Sequence, residues 1–259
     1  MKTWTRSVLK GQLTALGLAP GDAVLTHAAL RRVGRVLGGP DALIAALGDA
    51  VGPDGTVLAY CDWQLDDAPP ELRDEVPPFD PARSRSIRDN GAFPELLRTT
   101  PGARRSANPG ASFAALGARA EWFTGDQPLD YGYGPGSPLG KLVEARGKTL
   151  LLGAPKETMT LLHHAEHLAR VPGKRVLRYE APILVQGQKT WRRFEEFDTG
   201  NPIVPGLEDD YFTTVVEDFL ASGRGAQGLV GAAPCVLVDA RAMVDFAVAW
   251  LEARFPGGA

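Results

Sequence analysis

A strand, a helix and a second strand, each bounded by turn residues, restrict the fold of this chain more than anything else in it. Ala23-Val24-Leu25-Thr26-His27 follows the turn Pro20-Gly21-Asp22 and reads as a short buried strand. Residues 40–51 carry helical periodicity with Pro40 suited to the first turn, and Gly52-Pro53-Asp54-Gly55 turns the chain into a second apolar run at 56–61. Strand, helix, strand in that order favours a crossover unit, whose parallel strands need cover on both faces. Residues 5–18 predict a helix ending at Gly17. Residues 148–153 predict a strand leading into a helix, and 235–239 a strand before an amphipathic helix at 241–255. Residues 175–185 and 189–197, divided by Gln186-Gly187-Gln188, predict a hairpin laid on the main body. With no internal repeat and no second core visible, the expectation is one α/β domain over residues 1–259, its sheet covered by helices.

Composition narrows the partners. The chain has 259 residues, 44% of them hydrophobic, and a formal net charge of -3. No polybasic block dominates, so neither a nucleic acid nor an anionic membrane has electrostatic support as a partner. Residues 1–11 carry Lys2, Arg6 and Lys10 but no apolar core of a signal peptide, and no segment approaches the roughly 20 apolar residues that span a bilayer. A soluble, cytoplasmic protein is expected. Cys61 and Cys235 lie far apart in strand-like runs and read as two buried thiols.

Regular periodicity disappears between residues 62 and 91, where Pro69, Pro70, Pro77 and Pro78 break the chain. An irregular loop of that length is usually functional or flexible. Its acids, Asp62, Asp66, Asp67, Glu71, Asp74, Glu75 and Asp80, face only Arg73 before Arg83, Arg85 and Arg88 reverse the sign. Such a run is either a solvated surface or the wall of a cleft that attracts a polycation.

Three of the four histidines fall in Thr158-Met159-Thr160-Leu161-Leu162-His163-His164-Ala165-Glu166-His167. Helical spacing puts His163, Glu166, His167 and Arg170 on one face, with His163 at the edge of the apolar flank formed by Leu161, Leu162, Ala165 and Leu168. An imidazole there is placed to take a proton from a substrate, although any one of the three also suits a hydrogen-bonded surface role. His163 to His167 also satisfies the H-x-x-E-H pattern of inverted zinc peptidases. The acids that follow occur as scattered pairs such as Glu217-Asp218, a poor source of a third ligand, so no metal is expected. Strand alternation places Glu196 and Asp198 on one face; if that face meets His163, a carboxylate there can hold the imidazole's tautomer. Residues 26–34 close the first strand, where ligands of open α/β sheets gather, and Arg31 and Arg32 are suited to phosphate contacts. Neither a phosphate-binding G-x-x-x-x-G-K-[ST] loop nor a G-x-G-x-x-G after a strand is present.

Together these pieces resemble the aminoglycoside 3-N-acetyltransferases of the antibiotic N-acetyltransferase family. The resemblance runs over nearly the whole chain. It is carried by His27-Ala28-Ala29-Leu30 with Val33-Gly34, Gly52-Pro53-Asp54-Gly55-Thr56, Pro77-Pro78-Phe79-Asp80-Pro81 and Pro101-Gly102-Ala103-Arg104-Arg105-Ser106. Further on it rests on Gly136-Ser137-Pro138-Leu139, Leu150-Leu151-Leu152-Gly153-Ala154-Pro155, residues 160–166 and Glu196-Phe197-Asp198. It implies a three-layer α/β/α sandwich distinct from the GNAT superfamily. It further implies direct acetyl transfer from acetyl-CoA to the 3-amine of a deoxystreptamine ring, without a metal, by a monomer or homodimer. Carried across, His163 would be the general base, with Glu196 or Asp198 as its orienting partner. His27, Ala28, Ala29, Leu30, Arg31, Arg32, Val33 and Gly34, with Ser106 and Ser137, would lie along coenzyme A. Tyr60, Asp62, Trp63, Asp66, Asp67, Asp80, Glu95 and Asp209 would hold the aminoglycoside.

Two positions depart from the family pattern. Arg105-Ser106-Ala107-Asn108-Pro109 stands where the family usually reads R-S-x-H-P, and Ala29 stands where a serine hydroxyl is common. An acetyltransferase of non-antibiotic amines, a metallohydrolase and a coenzyme A-binding protein without turnover are the alternatives that these residues leave open.

Overall fold

The computed structural model describes residues 2–65 and 68–256. The chain opens with β1 (Thr3–Trp4) and α1 (Arg6–Leu16), followed by β2 (Ala23–Ala28), α2 (Leu30–Val33), β3 (Arg35–Val36), α3 (Gly39–Val51) and β4 (Thr56–Tyr60). After a long connection come α4 (Phe93–Thr99), β5 (Arg104–Arg105), β6 (Phe113–Gly117), α5 (Ala120–Thr124), α6 (Pro138–Glu144) and β7 (Lys148–Leu152). Helix α7 (Leu161–Leu168), the hairpin β8 (Val176–Val185) and β9 (Gln188–Phe197), α8 (Tyr211–Ala221), β10 (Ala226–Val230), β11 (Ala233–Asp239) and α9 (Ala240–Arg254) complete it. Local chemistry sets the ends. The Thr5 hydroxyl accepts from Val8 N–H at the start of α1, and Gly17, at φ 123°, closes it with its N–H on the carbonyls of Leu13 and Thr14.

Seven strands form one sheet in the order β10-β11-β7-β2-β4-β6-β5. Strands β7, β2 and β4 are parallel and central; the pairs outside them are antiparallel. The expected crossover from β2 through α3 to β4 is therefore present. Because successive side chains alternate between faces, Val24, Val57, Ala59, Leu150 and Leu152 face one core with residues of α1, α3 and α4. Ala23, Leu25, Leu58, Phe113 and Leu151 face the other, packed by α5 to α9. The result is the three-layer α/β/α arrangement. Among the described residues no helix is long and apolar enough to cross a membrane.

The hairpin turns on Gln186 and Gly187, both with positive φ (50° and 79°), so Gln188 belongs to β9 rather than to the turn. It docks on the long connection through a small core of Phe79, Ala181, Ile183 and Phe194. That connection is irregular but tied down. Arg105 donates from Nη1 to Ser84 O (2.5 Å), from Nη2 to Cys61 O and from Nε to Ser112 Oγ (3.1 Å), and its guanidinium lies 4.8 Å from the Phe79 ring centroid.

Asn108 explains one departure from the family pattern. Its Nδ2 donates to the carbonyls of Pro128 (3.0 Å) and Leu129 (3.2 Å), and its Oδ1 accepts from the N–H groups of Gly110 and Ala111 (both 3.1 Å). Two donors and one doubly accepting oxygen are what an amide supplies and a neutral imidazole does not. At 1% exposure the side chain is a buried staple between two loops. Asn108→Ala is expected to lower the unfolding free energy in urea by about 2–4 kcal/mol, because the abandoned backbone groups stay dry. Asn108→His is expected to recover only part of that loss.

Candidate active site

The parallel strands end on one side of the sheet, and a pocket of about 300 Å³ opens there. Thr26, His27, Ala28 and Ala29 line it from the end of β2, Tyr60 from β4, and Ala154, Pro155, Glu157, Thr158, Thr160 and His163 from the segment joining β7 to α7. Gly153 lets that segment leave the sheet. Its φ is +68°, and a Cβ there would sit 3.1 Å from the Cβ atoms of Arg32 and Ala233. A second pocket of about 370 Å³ contains Glu157, His163 and Glu166 together with Asn201, Asp209, Asp210, Tyr211 and Phe212. His163 thus stands between the two pockets, the strand-end one lined mostly by small and apolar groups with Asp89 and Glu157 at its wall, the other richer in acids.

The imidazole is held on several sides. Nδ1 lies 2.6 Å from Glu166 Oε2, one helical turn away. The Tyr133 and Phe212 rings flank it with centroids at 5.1 Å and 5.0 Å. Glu166 is itself buried, its side chain 3% exposed, and its other oxygen accepts from the Tyr211 hydroxyl. With a carboxylate on Nδ1, the proton belongs on that nitrogen and Nε2 keeps the lone pair. The other three histidines are differently placed. Burial pushes His27 down to about 4, with the charge of His163 adding to the effect. Burial also lowers His164, whose Nδ1 meets Tyr133 O at 2.7 Å. His167 falls to about 4 for the same reason and packs edge-on against Tyr131 and Phe197. Among the described residues no group of three or more His, Cys, Asp or Glu is placed to hold a metal ion.

The carboxylate beside His163 corrects the expectation that Glu196 or Asp198 would occupy that position. Glu196 does turn inward from β9, as the alternation predicts, but its carboxylate accepts from the N–H groups of Phe197 (2.8 Å), Gly132 and Tyr133. Asp198 accepts from Gly200 N–H (3.0 Å) and Asn201 Nδ2 (2.9 Å), closing the turn after the hairpin. The missing partner was visible in the spacing: Glu166 is three residues from His163 on the same helical face.

Of the segment expected along the cofactor, only His27, Ala28 and Ala29 line the strand-end pocket. Leu30 packs beside the α1/α3 core and Val33 lies fully inside it. Arg31 is exposed, whereas Arg32 donates to Gly153 O (2.9 Å), so its guanidinium is bound to the end of β7. Gly34 has a positive φ of 86°, closing α2. Ser106 and Ser137 are buried at 1% and 0% exposure and line neither pocket. The Ser106 hydroxyl accepts from Phe113 N–H (2.9 Å), and Ser137 caps α6 by accepting from Gly140 N–H (3.1 Å).

The acids of the long connection are also engaged internally. Asp62 accepts from the Asn90 amide, and burial pushes its carboxyl up to about 6. Asp80 accepts from Ala82 N–H (2.8 Å), Glu95 pairs with Arg98 (2.6 Å), and Trp63 packs on Phe79. Asp66 and Asp67 lie outside the described residues. Tyr60 reaches the strand-end pocket with its hydroxyl 2.7 Å from that of Tyr133. Asp209 lines the acidic pocket, and Asp210, Glu157 and Tyr211 join it there.

The family model described as aminoglycoside 3-N-acetyltransferase matches residues 25–252. The chain is 46% identical to aminoglycoside N(3)-acetyltransferase III of Pseudomonas aeruginosa, over 97% of this chain and 94% of that protein. It is 47% identical to aminoglycoside N(3)-acetyltransferase VII of Streptomyces paromomycinus, over 98% and 95%. Its fold matches that of AAC-IIIb, solved as a binary complex with CoASH, at a TM-score of 0.96 and 64% identity, covering 98% of both chains. It matches AAC-VIa bound to sisomicin at a TM-score of 0.93 and 38% identity, covering 99% of this chain and 100% of that one.

Glu196 gives the site a measurable pH signature. Burial raises its carboxyl from the ordinary 4.5 to about 7, against the opposing pull of its backbone donors and of His163. A raised carboxyl favours the neutral form in the folded protein, so its contribution to stability is full below the unfolded value and is lost as pH rises through about 7. Between pH 4.5 and pH 8, the wild type is expected to lose about 2–3 kcal/mol of unfolding free energy relative to Glu196→Gln. Urea titrations of both proteins across that window measure the difference; parallel curves contradict the assignment.

Proposed function

Because this chain belongs to the aminoglycoside 3-N-acetyltransferase family, we propose that it transfers acetyl directly from acetyl-CoA to the 3-amine of an aminoglycoside's deoxystreptamine ring, with His163 as general base. The observation that carries this reading is the position of His163 between the two pockets, with its Nδ1 on Glu166. The strand-end pocket suits the acyl-bearing arm of coenzyme A. Its walls include Ala28, Ala29, Ala154 and Pro155, and two buried polar atoms at the end of β2, Thr26 Oγ1 and His27 Nε2, have no protein partner among the described residues. Ligand oxygens and N–H groups would satisfy them. Arg31, exposed two residues after the pocket-lining Ala29, is suited to a phosphate. Bound acetyl-CoA supplies an acetyl carbonyl activated as a thioester.

An alkylammonium group cannot attack a carbonyl until it loses a proton. His163 Nε2 takes that proton and Glu166 stabilises the imidazolium that forms; the freed lone pair would then bond to the acetyl carbon while the C–S bond breaks, and coenzyme A would leave as the thiol carrying the amine's second proton. General-base assistance of this kind contributes roughly 10²- to 10⁴-fold. Holding both substrates against one imidazole contributes the orientation. Asp209, Asp210 and Glu157 supply negative charge for the remaining ammonium groups of a polycationic drug, while the neighbouring Lys156 is paired with Glu217 at 2.7 Å. Transfer does not pass through a cysteine. Cys61 and Cys235 are buried, and burial raises both thiols.

His163→Ala is expected to reduce turnover at least about 100-fold in a thiol-release assay with acetyl-CoA and an aminoglycoside. Coenzyme A affinity should change only a few fold; near-normal turnover removes His163 from the base role. The paired substitution Asp209→Asn and Asp210→Asn is expected to raise KM for the drug and flatten its dependence on salt, with kcat little changed. An unchanged salt response places the drug elsewhere.

A further inference from the structure

The outward face of the hairpin carries a cavity that the acetyl-transfer site does not use. Residues paired across β8 and β9 share a face, and successive residues alternate between faces. Ala181, Ile183 and Phe194 turn toward the body, where they meet Phe79. Arg178 with Glu195, Glu180 with Arg193 and Pro182 with Trp191 therefore turn away from it. The long connection crosses that outward face before it reaches Phe79. Lys189 Nζ donates to the carbonyls of Arg73 (2.6 Å) and Asp74 (3.0 Å), Arg73 Nη2 donates to Glu180, and the Arg73 guanidinium lies 4.7 Å from the Trp191 ring centroid. Between connection and hairpin remains a cavity of about 340 Å³, with Arg73 on one side and Arg178, Glu180, Trp191 and Arg193 on the other. It shares no residue with either pocket beside His163.

This lining is rich in donors and short of acceptors. Its one carboxylate, Glu180, is already engaged by Arg73. Arg178 bonds to Glu195 through Nε at 2.7 Å, and Arg193 makes no ion pair among the described residues. Two further donors, Arg73 Nε and Trp191 Nε1, are buried with no hydrogen-bond partner among the described residues. A buried N–H without an acceptor is costly, and a ligand oxygen is one way to complete it. Glu71, Asp74 and Glu75 of the connection are exposed and do not line the cavity. The missing component is an anion with several oxygens. Because the donors come from two segments that face each other, a tetrahedral oxyanion meets them better than a flat carboxylate. We propose that this cavity binds a phosphate group, either inorganic phosphate or a phosphate monoester, and that Arg73, Arg178 and Arg193 close on it to clamp the connection to the hairpin. The same connection carries Asp89 and Asn90 to the strand-end pocket, so the clamp steadies a segment that reaches the site. The proposal does not depend on the acetyl-transfer reading.

Calorimetric titration of the protein with inorganic phosphate, at an ionic strength held constant with chloride, tests it. Saturable binding with a dissociation constant at or below about 1 mM is expected. Arg178 and Arg193 are exposed, and the paired substitution Arg178→Ala and Arg193→Ala is expected to weaken binding at least about tenfold. Trp191→Phe keeps a ring under Arg73 and removes only the indole N–H; it is expected to weaken binding about threefold or more, and it carries the test if the paired variant does not fold. Glucose 6-phosphate, titrated in parallel, separates the two sources: tighter binding than inorganic phosphate identifies an ester as the ligand, weaker binding the free ion, and either supports the site. Hydrogen exchange of the amides at 70–75 is expected to slow when phosphate is bound. An absence of saturable binding, or affinity unchanged in the folded variants, overturns the site; exchange at 70–75 that ignores bound phosphate overturns the clamp.

Discussion

The contact between His163 Nδ1 and the buried Glu166 carboxylate is the interaction around which the site is organised. A carboxylate with a side chain 3% exposed is costly unless its oxygens are bonded, and here one oxygen faces an imidazole and the other a phenol. Both partners are polar groups that a helical core would otherwise reject. Their mutual satisfaction lets α7 carry an imidazole on the edge of the apolar layer. The same helix packs Leu161, Leu162 and Ala165 into the core, so His163 is fixed by the packing of the fold rather than by a loop.

That helix is placed by the sheet. Three parallel strands end together, and the chain leaving β7 must turn away through Gly153 before α7 begins. The turn leaves Ala154, Pro155 and Thr158 beside the end of β2, where the strand-end pocket forms, and delivers His163 to its rim. On the far side, the segment before α8 brings Asp209 and Asp210 to the same imidazole. Two pockets therefore meet at one ring, and the one lined by Asp209 and Asp210 carries more acidic groups.

Much of this was legible in the chain. The central strands β2, β4 and β7 and the helices α1, α3 and α9 announce themselves through apolar runs, turn residues and caps, because burial on both faces leaves little freedom in composition. The hairpin was readable from its turn at Gln186 and Gly187, apart from Gln188, which belongs to β9. At the candidate site, His163 and Glu166 share a helical face by their spacing, whereas the carboxylate expected beside the imidazole came from β9. Alternation correctly turned Glu196 inward, yet nothing local says whether an inward carboxylate meets a side chain or backbone N–H groups. Ser106 and Ser137 sit in stretches of recognisable sequence, and recognisable sequence does not separate a cap from a ligand contact. The acids from Asp62 to Glu95 looked like a cation site as a group; one by one, Asp62, Asp80 and Glu95 meet Asn90, Ala82 N–H and Arg98. Tyr211 lies 45 residues from the carboxylate it touches, beyond the reach of any pattern in sequence.

The tautomer of His163 tests the account most directly. Long-range proton–nitrogen NMR correlations of the imidazole, recorded near neutral pH on the free enzyme, distinguish a protonated from an unprotonated ring nitrogen. The account predicts that the neutral ring carries its proton on Nδ1, against Glu166, and leaves Nε2 unprotonated. A neutral ring protonated on Nε2, with Nδ1 bare beside the carboxylate, would contradict it.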